Sequence, residues 1–167
     1  IEIDPAKAEQ AVLDLSDLFR ANLASPDTLS SWGEERRLCE GYLRIEQYRL
    51  GQRMRVHWSV VALPDEVPMP LLTLQPLLEN AVYHGIEPSA EGGEIQVTTR
   101  RENGYIQLQI SNTLHDANQS KQRKGNQMAQ ENIRQRLLSV YGDNASFENK
   151  HYHNLYLIRM KFPVTRR

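Results

Sequence analysis

The sequence predicts an α/β fold, a two-layer sandwich in which helices cover a mixed, mostly antiparallel sheet. Two kinds of periodicity alternate along the chain: apolar residues recur every three or four positions in four segments and every second position in several others. Helical and strand segments are interleaved, and the strands come largely as hairpins. With 167 residues, 40% of them hydrophobic, the chain is long enough for about one domain with a packed core.

Two helices are predicted to open the chain. Asp4 and Pro5 are a typical N-cap and first helical residue, and an amphipathic pattern follows them. Ser31 and Glu34 have the spacing of a capping box at the start of a second helical pattern. The helices are expected to end near Asn22 and at Gly51.

A strand and a third helix follow. Residues 54–62 alternate between apolar and polar side chains, which predicts a half-buried strand. The prolines at 68 and 70 predict a loop. A helical stripe then runs from Leu71 to Gly85, and we expect Pro76 to kink that helix because it lacks a backbone N–H.

The second half predicts two hairpins separated by a helix. Residues 95–99 and 106–110 alternate around Asn103-Gly104, a dipeptide that favours a tight turn. Residues 111–126 are almost all polar, which predicts a long loop. A helix is expected to begin near Met128 and to end at Gly142, before a closing strand over residues 156–162 whose partner contains Phe147.

Composition excludes several classes of function. Lys and Arg number 20 against 21 Asp and Glu, a formal net charge of -1, so no global charge attracts nucleic acid or an anionic membrane. The apolar runs are far shorter than the ~20 residues that span a bilayer. The single cysteine, Cys39, cannot form an internal disulfide. Because the first residue is Ile1, the chain is expected to be a piece of a longer protein.

The segment from Leu74 to Gly85 carries the most informative polar residues. Asn80 and His84 are four residues apart on one helix face, offset from the leucine stripe, and Glu79 lies beside them. Such a face either binds a ligand or is an ordinary solvated surface. The spacing alone leaves both interpretations open.

This segment, LQPLLENAVYHG, resembles the N box LQPLVENAIKHG of sensor histidine kinases of the LytS/YehU type, whose ATP-binding domain is of the GHKL (Bergerat) fold. Residues 42–49 resemble the family's upstream YLxIExxRF, and residues 131–137 with Tyr141-Gly142 resemble its NIRxRL and YG. The stretch GNQM at residues 125–128 is similar to the nucleotide lid of AlgZ-type alginate regulatory sensors.

The resemblance implies ATP and Mg²⁺ as cofactors and assigns roles to residues of the N box. Asn80 would bind Mg²⁺ through its side-chain oxygen, a ligand type that suits this hard cation. Glu79 would be the catalytic residue, orienting a metal-bound water or the incoming imidazole. His84 and Gly85 would line the phosphate or ribose side.

The chain also departs from the family at both glycine boxes. Asn112 takes the place of the Asp that accepts the adenine amino group in the family's DxGxG box, which predicts weak binding because the charge-assisted bond is lost. Pro76 occupies the position where hydrolytic relatives carry a water-activating Glu, which favours transfer over hydrolysis. The nucleotide lid retains one of two paired glycines, and its predicted ATP-binding residues are Gly125, Asn126, Gln127 and Met128.

The resemblance implies two parts: residues 1–50 would be the remaining end of the helical dimerisation region, and residues 51–167 would be the ATP-binding catalytic domain. The domain would transfer the γ-phosphate of ATP to a histidine outside this chain, as the cytoplasmic part of an inner-membrane protein. Implied partners are a response regulator, the upstream histidine-bearing helical region and a second copy in a homodimer, with no direct nucleic-acid contact. The alternative is a degenerate GHKL domain that acts without catalysis, as a nucleotide-binding or protein-interaction module.

Overall fold

The computed structural model describes residues 4–25, 28–61, 63–115 and 123–164, and for residues 123–127 it describes the backbone alone. Two short 3-10 turns, at 51–53 and 142–144, connect helices to strands. The helices and strands of the described residues are α1 Pro5–Asn22, β1 Leu29–Ser31, α2 Trp32–Leu50, β2 Met54–Val60, β3 Pro68–Pro70, α3 Gln75–Ala81, a π-helical turn Val82–Ile86, β4 Gly93–Glu102, β5 Tyr105–Thr113, α4 Arg123–Tyr141, β6 Ser146–Tyr152 and β7 Leu155–Pro163.

The main sheet has five strands in the order β2-β4-β5-β7-β6. Strand β2 runs parallel to β4, and the other three pairs are antiparallel. One face of the sheet packs against α3 and α4, and a continuous apolar core is buried between the sheet and these helices. The predicted α/β two-layer sandwich with a mixed, mostly antiparallel sheet is therefore confirmed. The largest fully buried side chains of this core include Leu77, Leu78, Ile95, Ile106, Leu108, Ile133, Leu137 and Phe162.

The predicted starts of α1 and α2 and the predicted turn of the central hairpin are confirmed. The Asp4 side chain accepts a hydrogen bond from the Lys7 N–H, and Ser31 and Glu34 form both bonds of the capping box. At the central hairpin, Asn103 and Gly104 have φ values of 50° and 77°, which a tight turn between twisted strands requires.

The predicted loop around Pro68 and Pro70 is wrong, because these residues form strand β3. It pairs antiparallel with β1, and Met69 lies opposite Ser30. Proline is tolerated there because the sheet has only two strands, so each has an outer edge where no N–H is needed. Nothing local in the sequence indicates this pairing, since the two strands are far apart along the chain.

The predicted kink at Pro76 is also wrong. Helix α3 begins at Gln75, so Pro76 lies in the first turn, where an N–H would have no intrahelical acceptor. Residues 71–74 form a turn instead of a helix, and Leu72 has the left-handed φ of 57°.

The long loop predicted over residues 111–126 is too long at both ends. Strand β5 continues through Thr113 because Ser111 and Asn112 pair with strands on both sides. Helix α4 begins at Arg123, not near Met128, because propagation of a helix that packs on the sheet outweighs the low helix propensity of Gly125 and Asn126. Residues 116–122 lie outside the described residues.

Candidate functional site

The predicted site residues of the N box lie on α3 and the π-helical turn that continues it. Glu79 is exposed and accepts a hydrogen bond of 2.8 Å from the Gln75 side-chain amide, which orients its carboxylate. Asn80 is half-buried beside it. The helix widens after Ala81, and the Glu87 N–H bonds to the Val82 carbonyl oxygen at 3.0 Å. Such π turns are rare and frequently occur at functional sites.

Gly85 lies directly against Asn112 at the end of β5. A Cβ atom on Gly85 would be 2.4 Å from Asn112 Nδ2 and 2.7 Å from the Thr113 carbonyl oxygen. The close approach therefore requires glycine at this position. The structure brings these two predicted residues together, although they are far apart in sequence and on different layers.

Asn112 is 3% exposed, and its amide group is already engaged. Its Nδ2 donates to the Thr113 carbonyl oxygen at 2.8 Å. With that donor occupied, the side chain offers its oxygen as an acceptor, which is the group that an adenine amino group needs. The bond would lack the charge that an aspartate supplies.

A row of polar and aromatic residues continues from Asn112 across the sheet. Asn112 lies opposite Tyr156 on β7, and Tyr156 lies opposite His151 on β6. The Tyr156 hydroxyl accepts a hydrogen bond from the Gln130 amide of α4, and burial raises the pKa of Tyr156. This row was not predicted from the sequence, although the alternation along β7 places Tyr156 on the same face as the core residues.

Partial burial of the His84 imidazole favours its neutral form. Burial lowers the pKa of its imidazole from the ordinary value of 6.5, and its ring makes an edge contact with Tyr83, 4.7 Å between centroids. A neutral imidazole can donate or accept a hydrogen bond to a ligand but adds no positive charge for a phosphate.

Helix α2 and the turn that follows it hold both ends of the N-box segment. At the start, the Glu35 carboxylate accepts backbone N–H bonds from Leu72, Thr73 and Leu74 at 2.7, 2.8 and 2.9 Å. At the far end, Arg53 Nη2 donates to the carbonyl oxygens of Glu87 and Ser89. Glu35 was not predicted from the sequence, since an acidic residue in a first helical turn ordinarily faces solvent.

The predicted lid residues lie at the start of α4. Gly125, Asn126 and Gln127 are part of its first turns, and their side chains lie outside what the structure describes. Met128 is 73% exposed. The free N–H groups at the helix start belong to the residues from Arg123 onward, which corrects the expectation that they begin near Met128. Among the described residues, no cluster of three or more His, Cys, Asp or Glu side chains could hold a metal ion.

Comparisons with known sequences point to one class of protein. The family model described as histidine kinase matches residues 1–54. Sensor histidine kinase BtsS of Escherichia coli K12 is 30% identical over 157 residues, covering 91% of this chain and 28% of BtsS. Sensor protein LytS of Staphylococcus haemolyticus is 27% identical over 157 residues, covering 87% of this chain and 27% of LytS. The chain thus spans less than a third of the length of these relatives.

Solved structures agree on the fold. The catalytic domain of histidine kinase ThkA matches with a TM-score of 0.59 and 12% identity, covering 84% of this chain and 98% of that domain. Full-length ShkA in complex with AMPPNP matches with a TM-score of 0.55 and 14% identity, covering 94% of this chain and 36% of ShkA. The chain has the fold of a histidine kinase catalytic domain. By sequence it is related to the sensor histidine kinases that include BtsS and LytS. Over the described ranges, no helix combines the length and the apolar character needed to cross a membrane.

Proposed function

We propose that this chain is the ATP-binding catalytic domain of a two-component sensor histidine kinase, which delivers the γ-phosphate of ATP to a histidine outside the chain. The observation that carries the proposal is the contact between Gly85 and Asn112. The Asn112 side chain lies against the π-helical turn that continues the helix carrying Glu79 and Asn80. An adenine acceptor and a candidate Mg²⁺ ligand thus lie on adjoining elements.

Each residue has a chemical role in this proposal. Asn80 would bind Mg²⁺ through its carbonyl oxygen, and the metal would neutralise charge on the phosphates during transfer. Glu79, oriented by Gln75, would position the incoming imidazole or a metal-bound water. Pro76 provides no carboxylate to activate water. We propose Gly125, Asn126, Gln127 and Met128 as the nucleotide lid.

The organisation of the whole protein is part of the same proposal. Residues 1–50 would continue the helical dimerisation region of a homodimer, and the acceptor histidine would lie upstream. The phosphoryl group would pass to a response regulator, which is supported by the solved complex of histidine kinase ThkA with the response regulator protein TrrA. The domain would be the cytoplasmic part of an inner-membrane sensor, and the GNQM stretch supports an AlgZ-type, alginate-regulating member.

Calorimetric titration with a non-hydrolysable ATP analogue, with and without Mg²⁺, tests nucleotide binding. We expect weak binding that Mg²⁺ strengthens, and Asn80→Ala should remove the metal dependence because it removes the ligand oxygen. Asn144→Ala is the matched control, since its side-chain oxygen accepts a hydrogen bond from the Tyr105 hydroxyl, at the opposite end of β5 from Asn112. Unchanged Mg²⁺-dependent binding in Asn80→Ala would refute the assignment of Asn80.

Reconstitution tests the transfer step. Addition of the upstream helical region with its histidine should permit phosphohistidine formation, and Glu79→Ala should slow it by ~10²- to 10⁴-fold. Nucleotide binding without any labelling would instead favour a non-catalytic regulatory domain. The uncharged Asn112 is the observation that favours that second function.

A further inference from the structure

Glu35 is a buried carboxylate that no step of the proposed function uses. It lies in the first turn of α2 and is 1% exposed. Burial raises the pKa of its carboxyl group, while the three N–H donors and Arg136 act in the opposite direction. A buried carboxylate is costly unless its oxygens are satisfied, so its role follows from what it contacts.

The hydrogen bonds that the Glu35 side chain accepts come from the turn that precedes α3. One carboxylate oxygen accepts from the Leu72 N–H, and the other accepts from Thr73 and Leu74. These three bonds join α2 to a segment 37 to 39 residues further along the chain. Hydrogen bonds to a charged acceptor contribute more than neutral ones, so together they hold this turn firmly.

The backbone of the turn needs such support. Leu72 has φ of 57°, a conformation that costs roughly 1–2 kcal/mol for a residue other than glycine. Arg136 of α4 also donates to the Leu71 carbonyl oxygen at 3.1 Å. The turn is therefore held by side chains of both α2 and α4, and α3 begins directly after it.

We propose that Glu35 is a positioning residue for the proposed site: it fixes the start of α3, and thereby the placement of Asn80 on that helix relative to Asn112. The inference rests on the proposed function. Asn80 lies about one and a half turns from the start of α3, so a rotation or shift of that start moves its side chain. The backbone of Asn112 is held on β5 by pairing with β4 and β7.

A positioning role for Glu35 predicts different effects on nucleotide affinity with and without Mg²⁺. Loss of the Glu35 hydrogen bonds should weaken nucleotide binding in the presence of Mg²⁺, because that binding uses Asn80. Binding without Mg²⁺ should be unchanged, because it uses Asn112 on the sheet. A merely structural role would lower both affinities together. The ratio of the two affinities therefore distinguishes positioning from general destabilisation.

The test compares Glu35→Gln with the control Glu40→Gln, which removes an acid of the same helix that contacts Arg36. Titration with a non-hydrolysable ATP analogue gives the affinities, and amide hydrogen exchange reports on residues 72–74. We expect Glu35→Gln to speed exchange at these amides and to weaken Mg²⁺-dependent binding by about 10- to 100-fold, the range for groups that orient a metal ligand. Mg²⁺-independent binding should change by less than about twofold, within the scatter expected of a distant site.

Equal losses of both affinities, or no loss of either, would overturn the inference. If Glu35→Gln does not fold, Arg136→Gln tests the same turn from the side of α4, and it should reduce the same Mg²⁺-dependent part by a smaller factor. Failure of the proposed function gives a different result, because then the unmodified chain itself shows no Mg²⁺-dependent binding of the analogue.

Discussion

Gly85→Ala should disturb both the stability of the protein and the geometry of the site. The added methyl carbon would lie 2.4 Å from Asn112 Nδ2 and 2.7 Å from the Thr113 carbonyl oxygen, whereas ordinary contacts of carbon atoms begin near ~3.5 Å. Asn112 can turn aside only by losing its hydrogen bond to that carbonyl. The carbonyl itself belongs to a strand residue paired with Leu155, so it cannot move independently of the sheet.

The magnitude follows from three contributions. Overpacking of a filled site costs about 1–3 kcal/mol. Loss of the Asn112 hydrogen bond adds about 1 kcal/mol. Alanine in place of glycine within a helical segment stabilises the folded state by about 1 kcal/mol, which offsets part of this loss. We therefore expect the free energy of unfolding to fall by about 1–3 kcal/mol, and nucleotide affinity to fall by at least about tenfold, because the π turn must move away from β5.

Urea unfolding and calorimetric titration measure the two effects. Gly142→Ala is the control, since its φ of 57° is unfavourable for alanine but no atom lies within 4 Å of the added carbon. It should lower stability by about 1–2 kcal/mol without any effect on nucleotide binding. The double variant Gly85→Ala with Asn112→Ala should lose less than the sum of the single losses, because part of the overlap is with the Asn112 side chain. A Gly85→Ala protein with unchanged stability and affinity would refute this reasoning.

Three further predictions concern α1, turnover and His84. Asp14, whose side chain is 5% exposed, accepts two hydrogen bonds from Arg44, so Asp14→Asn should cost about 1–3 kcal/mol in urea unfolding. The hydrogen bonds from Arg44 lower the pKa of Asp14 below 3.8 in the folded state. The stabilisation is therefore present above pH 3.8 and is lost as the pH falls through the folded-state pKa. The free energy of unfolding of Asp14→Asn should not show this decrease at low pH. The chain alone should release no appreciable phosphate from ATP, because Pro76 cannot activate water; brisk hydrolysis would mean that another carboxylate, such as Glu79, does so. A proton NMR titration of His84 should have its midpoint below 6.5, and a midpoint above that value would contradict its burial.

Local signals in the sequence predicted most of the secondary structure. The capping box at Ser31, the turn at Asn103-Gly104 and the period-two alternation of β4, β5 and β7 each depend on a few neighbouring residues. The fold class followed from the order of these elements. The resemblance of residues 74–85 to an N box went further, since it predicted the kind of protein and named candidate residues for its nucleotide site.

The errors arose where the decisive contact is distant in sequence. A polar composition predicted a loop at residues 111–113, but pairing with β4 and β7 makes these residues a strand. Pro76 predicted a kink, but the turn before it, held by Glu35, starts the helix late enough for the proline to fit. The prolines of β3 predicted a loop, but β1 lies beside them.

The sequence by itself determined the fold class, the ends of the capped helices and the candidate residues of the N box, because each depends on periodicity or on groups a few positions apart. The tertiary structure alone decided that Gly85 meets Asn112 and that Glu35 supports the turn before α3. Both contacts join residues that are distant along the chain. Their formation depends on how the helical layer packs on the sheet and on the hydrogen bonds of buried groups, which no local pattern specifies.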